Sequence, residues 1–232
     1  MTERPLALIT GASGGVGAAV ARALAPTHDL LLGGRDRAVL DEIAAGLPGA
    51  RPWPVDLTAY DEVAELTRDI TRLDVLVHSA GIGPLGRIEE LTPQTWQRTF
   101  EVNVVAVAEL TRLLLPALRA AAGHVVLINS GSGQRANPGW GAYAASKFGL
   151  RAFADALRLE EAPHGLRVTT IYPGRIDTAM QRRVRDHEGG SYEPEKYLTA
   201  DSVAQAVRAV LATAPGAHLT ELTLRPAGGT LT

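Results

Sequence analysis

Short apolar runs alternate with amphipathic helical stretches along almost the whole chain of 232 residues. Runs 73–78 and 123–129 consist mostly of apolar residues, and each has the length of a single strand. Strands of this kind are buried on both faces, as in a parallel sheet covered by helices on both sides. Parallel strands need crossover connections, which are right-handed, so the pattern predicts a doubly wound α/β fold.

Prolines refine this prediction in two places. Pro52 and Pro54 remove backbone donors from the third predicted strand, which therefore belongs near an edge of the sheet. Pro116 should bend the longest predicted helix. The pattern predicts about seven strands, at 5–10, 28–32, 50–55, 73–78, 123–129, 166–172 and 219–225, and helices at 15–25, 36–47, 58–71, 93–121, 142–161 and 201–212.

Composition limits the classes of function. A chain of 232 residues that is 46% hydrophobic can bury one large core, so we expect a single domain over 1–232. The formal net charge of -2 gives no support for binding to nucleic acid or to a membrane surface. The absence of cysteine excludes thiol catalysis and thiolate metal sites. With no signal-peptide pattern and no apolar run long enough to cross a bilayer, we expect a cytoplasmic protein without a metal site.

A glycine-rich loop joins the first predicted strand to the first predicted helix. Residues 10–17 read Thr-Gly-Ala-Ser-Gly-Gly-Val-Gly. Glycines here close the turn and let the backbone approach a pyrophosphate, and the helix N-terminus offers free N–H groups to phosphates. The strand–loop–helix context favours a dinucleotide site over a purely structural turn. The candidate phosphate-binding residues are Gly11, Ser13, Gly14, Gly15, Val16 and Gly17.

Tyr143 and Lys147 are spaced as i and i+4 on a predicted helix, and Ser130 precedes the tyrosine by thirteen residues. Side chains at this spacing share one helix face, and a cation near a phenol lowers the pKa of the phenol. Such a pair could exchange a proton near neutral pH, beside a serine that holds a carbonyl or hydroxyl oxygen. The alternative is an ordinary exposed pair. Lysine is rare in this chain, with only Lys147 and Lys196 among 23 basic residues, which slightly favours a specific use of Lys147.

Together these features make the sequence resemble the short-chain dehydrogenase/reductase family of the classical type. The glycine loop is similar to the family's Thr-Gly-x-x-x-Gly-x-Gly, and Tyr143 and Lys147 match its Tyr-x-x-x-Lys. Ser130 and Asn103 match the serine and the helix asparagine that complete the family's catalytic tetrad. The further matches are Asp56 and Leu57 after the third strand, Ala80 and Gly81 after the fourth, and Pro173, Gly174, Ile176 and Thr178 after the sixth.

The resemblance implies a Rossmann fold and hydride transfer between a nicotinamide cofactor and the carbonyl or alcohol carbon of a small molecule. Tyr143 would be the general acid or base, Lys147 would lower its pKa and bond the nicotinamide ribose, and Ser130 would hold the substrate oxygen. Asn103 would hold a water of a proton relay. Asp56 would meet the adenine amino group, and residues 173–178 would close over the nicotinamide. A homodimer or homotetramer is the family habit.

The sequence departs from the family pattern after the fourth strand. The family's Asn-Asn-Ala-Gly is here His78-Ser79-Ala80-Gly81. Ser79 has less reach than asparagine, which puts the local bracing of the sheet in question. His78 resembles a catalytic base, but its place at a strand end favours a structural role.

The end of the second strand bears on the choice of cofactor. A carboxylate there bonds the ribose 2′-hydroxyl of NAD, whereas arginine suits the 2′-phosphate of NADP. Gly34 occupies the position where NAD-type relatives carry aspartate, and Arg35 follows it directly. Alternatively, Asp36 takes the ribose position, or Arg35 is an ordinary surface charge. We expect NADP, with NAD the less favoured cofactor.

Segment 179–198 is polar and the least regular part of the pattern. It is interpreted as a mobile substrate lid or as a disordered surface loop, and its position after the sixth strand slightly favours the lid. Two rival functions remain. A non-catalytic NADP-binding sensor should lack part of the Ser-Tyr-Lys set. An epimerase or dehydratase acting on a nucleotide-linked sugar should carry a C-terminal substrate domain.

Overall fold

Seven parallel strands form a single sheet in the order β3-β2-β1-β4-β5-β6-β7. The structure is a computed structural model that describes residues 4–214 and 216–227. The order reverses between β1 and β4, so this sheet has the doubly wound topology that the sequence predicts. The strands are β1 Leu6–Thr10, β2 Asp29–Gly34, β3 Ala50–Pro54, β4 Val75–His78, β5 His124–Ile128, β6 Arg167–Pro173 and β7 Glu221–Leu224.

Helices cover both faces of the sheet. Each face of the sheet carries its own hydrophobic core, and successive residues of β1 point into different cores. Ile9 packs with α1, α2 and α8, whereas Leu8 packs with α3, α5 and α6. No helix within residues 4–214 and 216–227 has the length and hydropathy to span a bilayer. The helices are α1 Gly15–Leu24, α2 Arg37–Ala45, α3 Tyr60–Thr67, α4 Pro93–Phe100, α5 Ala106–Ala121, α6 Gly141–Glu161, α7 Ala179–Glu188 and α8 Ala200–Leu211.

Most predicted elements are confirmed, and β3 is an edge strand as its prolines indicate. The predicted helix 93–121 is present, but a π-helical turn over Glu101–Val105 separates α4 from α5. The extra residue of such a turn breaks the regular hydrogen-bond pattern and changes the direction of its side chains.

Segment 179–198 differs from the prediction of an irregular loop, because its first half is the helix α7. The Thr178 side chain caps the helix N-terminus by accepting from the Gln181 amide at 3.3 Å. Gly189 ends the helix with a left-handed φ of 65°. The segment is closed at its base, where Asp177 N donates to Leu198 O at 2.8 Å.

Two histidines lie in the sheet with almost no exposure to solvent, and their burial bears on stability. His78 contacts Thr111 through Nε2 at 2.9 Å, and His124 contacts Thr169 at 2.8 Å. Burial lowers the pKa of each imidazole to about 3. The structural interpretation of His78 is therefore confirmed, since a buried neutral imidazole among packed side chains has no access to a substrate.

We expect acid to destabilise the protein through these two groups. Unfolded histidine titrates near pH 6.5, above the folded pKa, so the unfolded state binds more protons as the pH falls below 6.5. The contribution is complete above that pH and is lost toward pH 3, by about 2 kcal/mol per histidine between about pH 7.5 and about pH 5. Urea unfolding at both pH values measures it. His78→Asn should remove roughly half of the loss, and an unchanged pH dependence in this variant would contradict the assignment.

Candidate active site

A cavity of about 430 Å³ lies at the carboxyl ends of β1, β4 and β5, at the point where the strand order reverses. In doubly wound sheets this is where ligands bind. The predicted site residues that line it are Gly11, Ser13, Gly14, Gly15, Val16, Arg35, Asp56, Leu57, Ala80, Gly81, Tyr143, Lys147, Ile176 and Thr178.

The glycine loop brings the first helix close to the strand that precedes it. A Cβ atom on Gly17 would lie 2.2 Å from the Gly11 carbonyl oxygen, so only glycine fits there. Gly11 has a φ of +69°, and a Cβ on it would lie 2.9 Å from the Ala80 amide nitrogen. Gly17 thus permits the packing of α1 on the loop and lies outside the cavity lining.

The N-terminus of α1 faces this cavity without a side-chain cap. Its N-cap residue is Gly14, which has no side chain to accept from the first-turn amides. Those amides and the helix dipole are suited to an anion such as a pyrophosphate. The residues present therefore fit a dinucleotide cofactor at this end of α1.

Thr10 connects the glycine loop to the loop after β4. Its hydroxyl oxygen accepts hydrogen bonds from the Ser79 and Ala80 amides at 3.1 and 3.2 Å. The backbone of the His-Ser-Ala-Gly segment is therefore braced by Thr10. The threonine was recognised only as part of the loop motif, and this bracing role was not predicted.

Arg35 lies at the far end of the cavity, beyond the loop. Asp36 is the N-cap of α2, and its Oδ1 accepts from the Val39 amide at 3.2 Å. This cap accounts for Asp36. At the end of the neighbouring strand β3, the Thr58 amide and hydroxyl, followed by the charges of Arg98 and Arg35, hold the pKa of Asp56 below its usual value. Arg98 also lines this end and was missed by the sequence reasoning.

Asn103 lies in the π-helical turn, where it joins two other parts of the site. Its Oδ1 accepts from the Ile82 amide at 2.9 Å, while Nδ2 donates to the Ile82 carbonyl at 2.9 Å and to Ser146 Oγ at 3.0 Å. Ser146 in turn donates to the Tyr143 carbonyl at 2.7 Å. Both amide hydrogens are thus engaged within the protein, and Asn103 fixes the loop after β4 against α6.

Ser130 and Lys147 are held at the end of β5 by the Ile128 carbonyl and the Asn129 side chain. Lys147 Nζ donates to the Ile128 carbonyl at 3.1 Å, and Asn129 Nδ2 donates to the Lys147 carbonyl at 3.0 Å. Asn129 Oδ1 accepts from the Ser130 amide at 2.8 Å. Asn129 was not predicted, although it directly precedes Ser130 and couples it to α6.

Tyr143 lies close to the Ser130 side chain. Burial raises the pKa of Tyr143, and the nearby Ser130 side chain lowers it by a smaller amount. Burial also lowers the pKa of Lys147 to about 8. Lys147 Nζ lies 5.8 Å from the phenol ring centroid, but burial is the dominant influence on the pKa of Tyr143, and the lowering of this pKa by Lys147 stays a prediction.

Pro173 and Gly174 lie outside the lining of the cavity. The Gly174 amide donates to the Leu224 carbonyl at 2.9 Å, which attaches the end of β6 to β7. Arg225 extends this attachment, because it donates to the Tyr172 carbonyl at 2.9 Å and to Gln134 Oε1 at 3.3 Å. Arg225 therefore supports the turn after Ser130, a role that no local sequence pattern indicates.

The family model for short chain dehydrogenases matches residues 5–189 of the chain. The chain belongs to the short-chain dehydrogenase family. A bovine (Bos taurus) relative, "Dehydrogenase/reductase SDR family member 11", is 32% identical over 95% of this chain and 95% of its own length. The protein is accordingly an NAD(P)-dependent oxidoreductase that transfers a hydride.

Solved structures of this family resemble the whole chain. An alcohol dehydrogenase from the archaeon Thermococcus sibiricus, complexed with 5-hydroxy-NADP, has a TM-score of 0.89 at 29% identity and covers 99% of this chain and 100% of its own. A 3-oxoacyl-[acyl-carrier protein] reductase from Brucella melitensis, in complex with NAD, has a TM-score of 0.85 at 27% identity and covers 97% of both chains. The neighbours thus support a nicotinamide cofactor and include complexes with either form.

Proposed function

We propose that this short-chain dehydrogenase is an NADP(H)-dependent oxidoreductase that interconverts a carbonyl compound and a secondary alcohol, with Tyr143 as the general acid or base. The observation that carries the proposal is the arrangement along one cavity. Tyr143 and Lys147 line it at one end, Arg35 lies at the other, and the uncapped N-terminus of α1 lies between them.

The cofactor would be held by groups along this length. The first-turn amides of α1 suit its pyrophosphate, and Arg35 suits a 2′-phosphate because no carboxylate within the described chain pairs with it. Gly34 contributes no carboxylate at the position where NAD-type relatives carry aspartate, and the Asp36 side chain is engaged as the N-cap of α2. Asp56 would receive the adenine amino group, and Ile176 and Thr178 would cover the nicotinamide, which supplies or accepts the hydride.

Tyr143 would give its proton to the substrate oxygen in reduction. Burial raises the pKa of the phenol, which is consistent with a protonated Tyr143 that can donate in reduction. Ser130 would hold the same oxygen and stabilise the charge that develops on it. Lys147 would bind the nicotinamide ribose and supply positive charge near the phenolate that remains after transfer.

Asn103 would act mainly as a positioning residue for this set. Its two amide hydrogens are engaged with Ile82 and Ser146, so only a lone pair on Oδ1 is free for the water expected from the family resemblance. The sensor alternative is less well supported, because the complete set of Ser130, Tyr143 and Lys147 has no purpose in a protein that only binds NADP.

The proposal also covers the domain organisation, the cellular location and the oligomeric state of the protein. We expect one domain over 1–232 in the cytoplasm, with α7 and the following residues to 198 as a substrate lid. The two long helical segments, 93–121 and α6, each expose an apolar side chain. Val105 is 48% exposed and Leu159 is 78% exposed. These side chains favour a homodimer or homotetramer in which the two segments form the interface.

Replacing Arg35 tests the cofactor assignment. Arg35→Ala should weaken NADPH binding about 10–100-fold, because a charge-assisted hydrogen bond contributes roughly 1.5–3 kcal/mol, and it should leave NADH binding nearly unchanged. Fluorescence titration with each cofactor measures both affinities. Arg37→Ala is the matched control, since Arg37 lies two residues on, pairs with Asp41 at 3.6 Å and does not line the cavity. Equal weakening of both cofactors in Arg35→Ala would refute the NADP assignment.

A further inference from the structure

A second cavity, of about 380 Å³, lies between the loop after β4 and the helix α7. The loop contributes residues 81–85. The helix contributes Met180, Arg183, Val184 and His187, whose spacing places them on one helix face. This cavity is continuous with the cofactor cavity, because Gly81, Ile82, Met180 and Arg183 line both.

The second cavity begins beside the phenol of Tyr143. A Cβ atom on Gly83 would lie 3.4 Å from Tyr143 Cδ2 and 3.6 Å from Met180 Sδ. A molecule whose carbonyl reaches the Tyr143 hydroxyl could therefore extend along the loop toward α7. Leu85 and Val184 give this wall an apolar character that suits a short carbon chain.

Arg183 is distinguished from the other arginines of this region by its lack of a partner. Arg175 and Arg185 bind Glu188 at 2.7 and 2.6 Å. Arg182 has Asp177 at 3.5 Å. Arg183 has no ion pair or hydrogen bond with any residue in 4–214 or 216–227.

The lining of the second cavity holds no carboxylate that could neutralise Arg183. Its other titratable side chain is His187, which can donate a hydrogen bond. A guanidinium binds a carboxylate through two parallel hydrogen bonds, and the exposed side chain of Arg183 is accessible to such a group. The cavity is therefore suited to a molecule with an anionic end.

We propose that Arg183 is a specificity-determining residue that binds a carboxylate of the substrate, so that the enzyme reduces oxo acids in preference to neutral carbonyl compounds. This inference rests on the proposed function, because Tyr143 must meet the carbonyl of the same molecule. The carbonyl carbon gains a hydride from the reduced nicotinamide, and the carbonyl oxygen gains the Tyr143 proton, which solvent replaces. The product is a hydroxy acid.

The test compares an aliphatic oxo acid with its methyl ester, which keeps the carbonyl and removes the charge. Wild type should have the lower KM for the acid. Arg183→Gln should raise the KM of the acid about 10–100-fold, because one charged hydrogen-bond partner is lost, and should leave the KM of the ester and the kcat values nearly unchanged. Arg183→Lys should retain part of the preference, and Arg208→Gln, an exposed site on α8, should retain all of it.

A separate titration with NADPH identifies the anion that Arg183 binds, since the residue also lines the cofactor cavity. The proposal requires an unchanged NADPH affinity in Arg183→Gln. Weaker NADPH binding with an unchanged ratio of acid to ester would assign Arg183 to the cofactor phosphates and overturn the inference. Turnover without any preference for the acid, or turnover only of other carbonyl compounds, would overturn the inference alone. No turnover with any ketone, aldehyde or oxo acid would overturn the proposed function as well.

Discussion

Tyr143→Phe should lower kcat by about 10²–10⁴-fold, the range that general acid–base catalysis contributes, while NADPH binding stays close to that of wild type. The variant removes one hydroxyl and keeps the ring, so the packing of α6 is preserved. We assign this hydroxyl as the proton donor to the substrate oxygen, and we assign Ser130 to holding that oxygen, so we do not expect Ser130 to replace the proton. Steady-state reduction rates together with a fluorescence titration of NADPH separate the two effects.

Tyr172→Phe is the matched control for this variant. Its ring is also buried, but its hydroxyl contacts Glu221 at 3.1 Å, and it does not line the cavity. We expect Tyr172→Phe to keep the wild-type rate. Substantial turnover in Tyr143→Phe would contradict the proton-donor role, and a parallel loss in both variants would indicate a general effect of removing a buried hydroxyl.

Gly17→Ala should have the largest effect on the fold of the site. Its Cβ would lie 2.2 Å from the Gly11 carbonyl oxygen and 3.0 Å from the Ala12 amide nitrogen, which are backbone atoms that cannot rotate away. The helix α1 must then move from β1, so we expect a loss of stability of about 1–3 kcal/mol or more and a loss of NADPH binding. Urea unfolding and NADPH titration measure these two quantities.

Gly14→Ala is the matched control for Gly17→Ala, because it adds a methyl group to the same loop without a steric clash. Gly14 has an extended backbone, with φ at 176°, and a Cβ on it would have no atom within 4 Å. The free energy of unfolding of Gly14→Ala should therefore remain close to that of the wild type. If Gly17→Ala unfolded at the same urea concentration as Gly14→Ala, the close packing of α1 on the loop would not be needed for the fold.

The sequence predicts the sheet well because each strand carries its own signal. The runs that became β4 and β5 are apolar enough to be recognised alone, and the prolines of β3 identify its edge position. The crossover rule then leaves few ways to join them. The glycine loop and the Tyr143–Lys147 spacing are also local signals, so their place at one cavity was predictable.

Features that depend on contacts between distant segments were not predictable in the same way. The π-helical turn that places Asn103 is stabilised by the bonds of its side chain to Ile82 and Ser146, which lie elsewhere in the chain. The helix α7 has a polar sequence with few apolar positions, and its Thr178 cap became evident only with the structure. The raised pKa of Tyr143 likewise follows from tertiary burial, which the Tyr-x-x-x-Lys spacing does not express.

Turnover by the wild-type protein decides whether it reduces carbonyl compounds. NADPH oxidation should be followed with a panel of ketones, aldehydes and oxo acids, with the alcohol product quantified and NADPH affinity measured on the same sample. We expect NADPH to be consumed with at least one carbonyl compound and one alcohol to form for each NADPH oxidised. Firm NADPH binding without turnover of any carbonyl compound would contradict it and would favour a protein that only senses the cofactor.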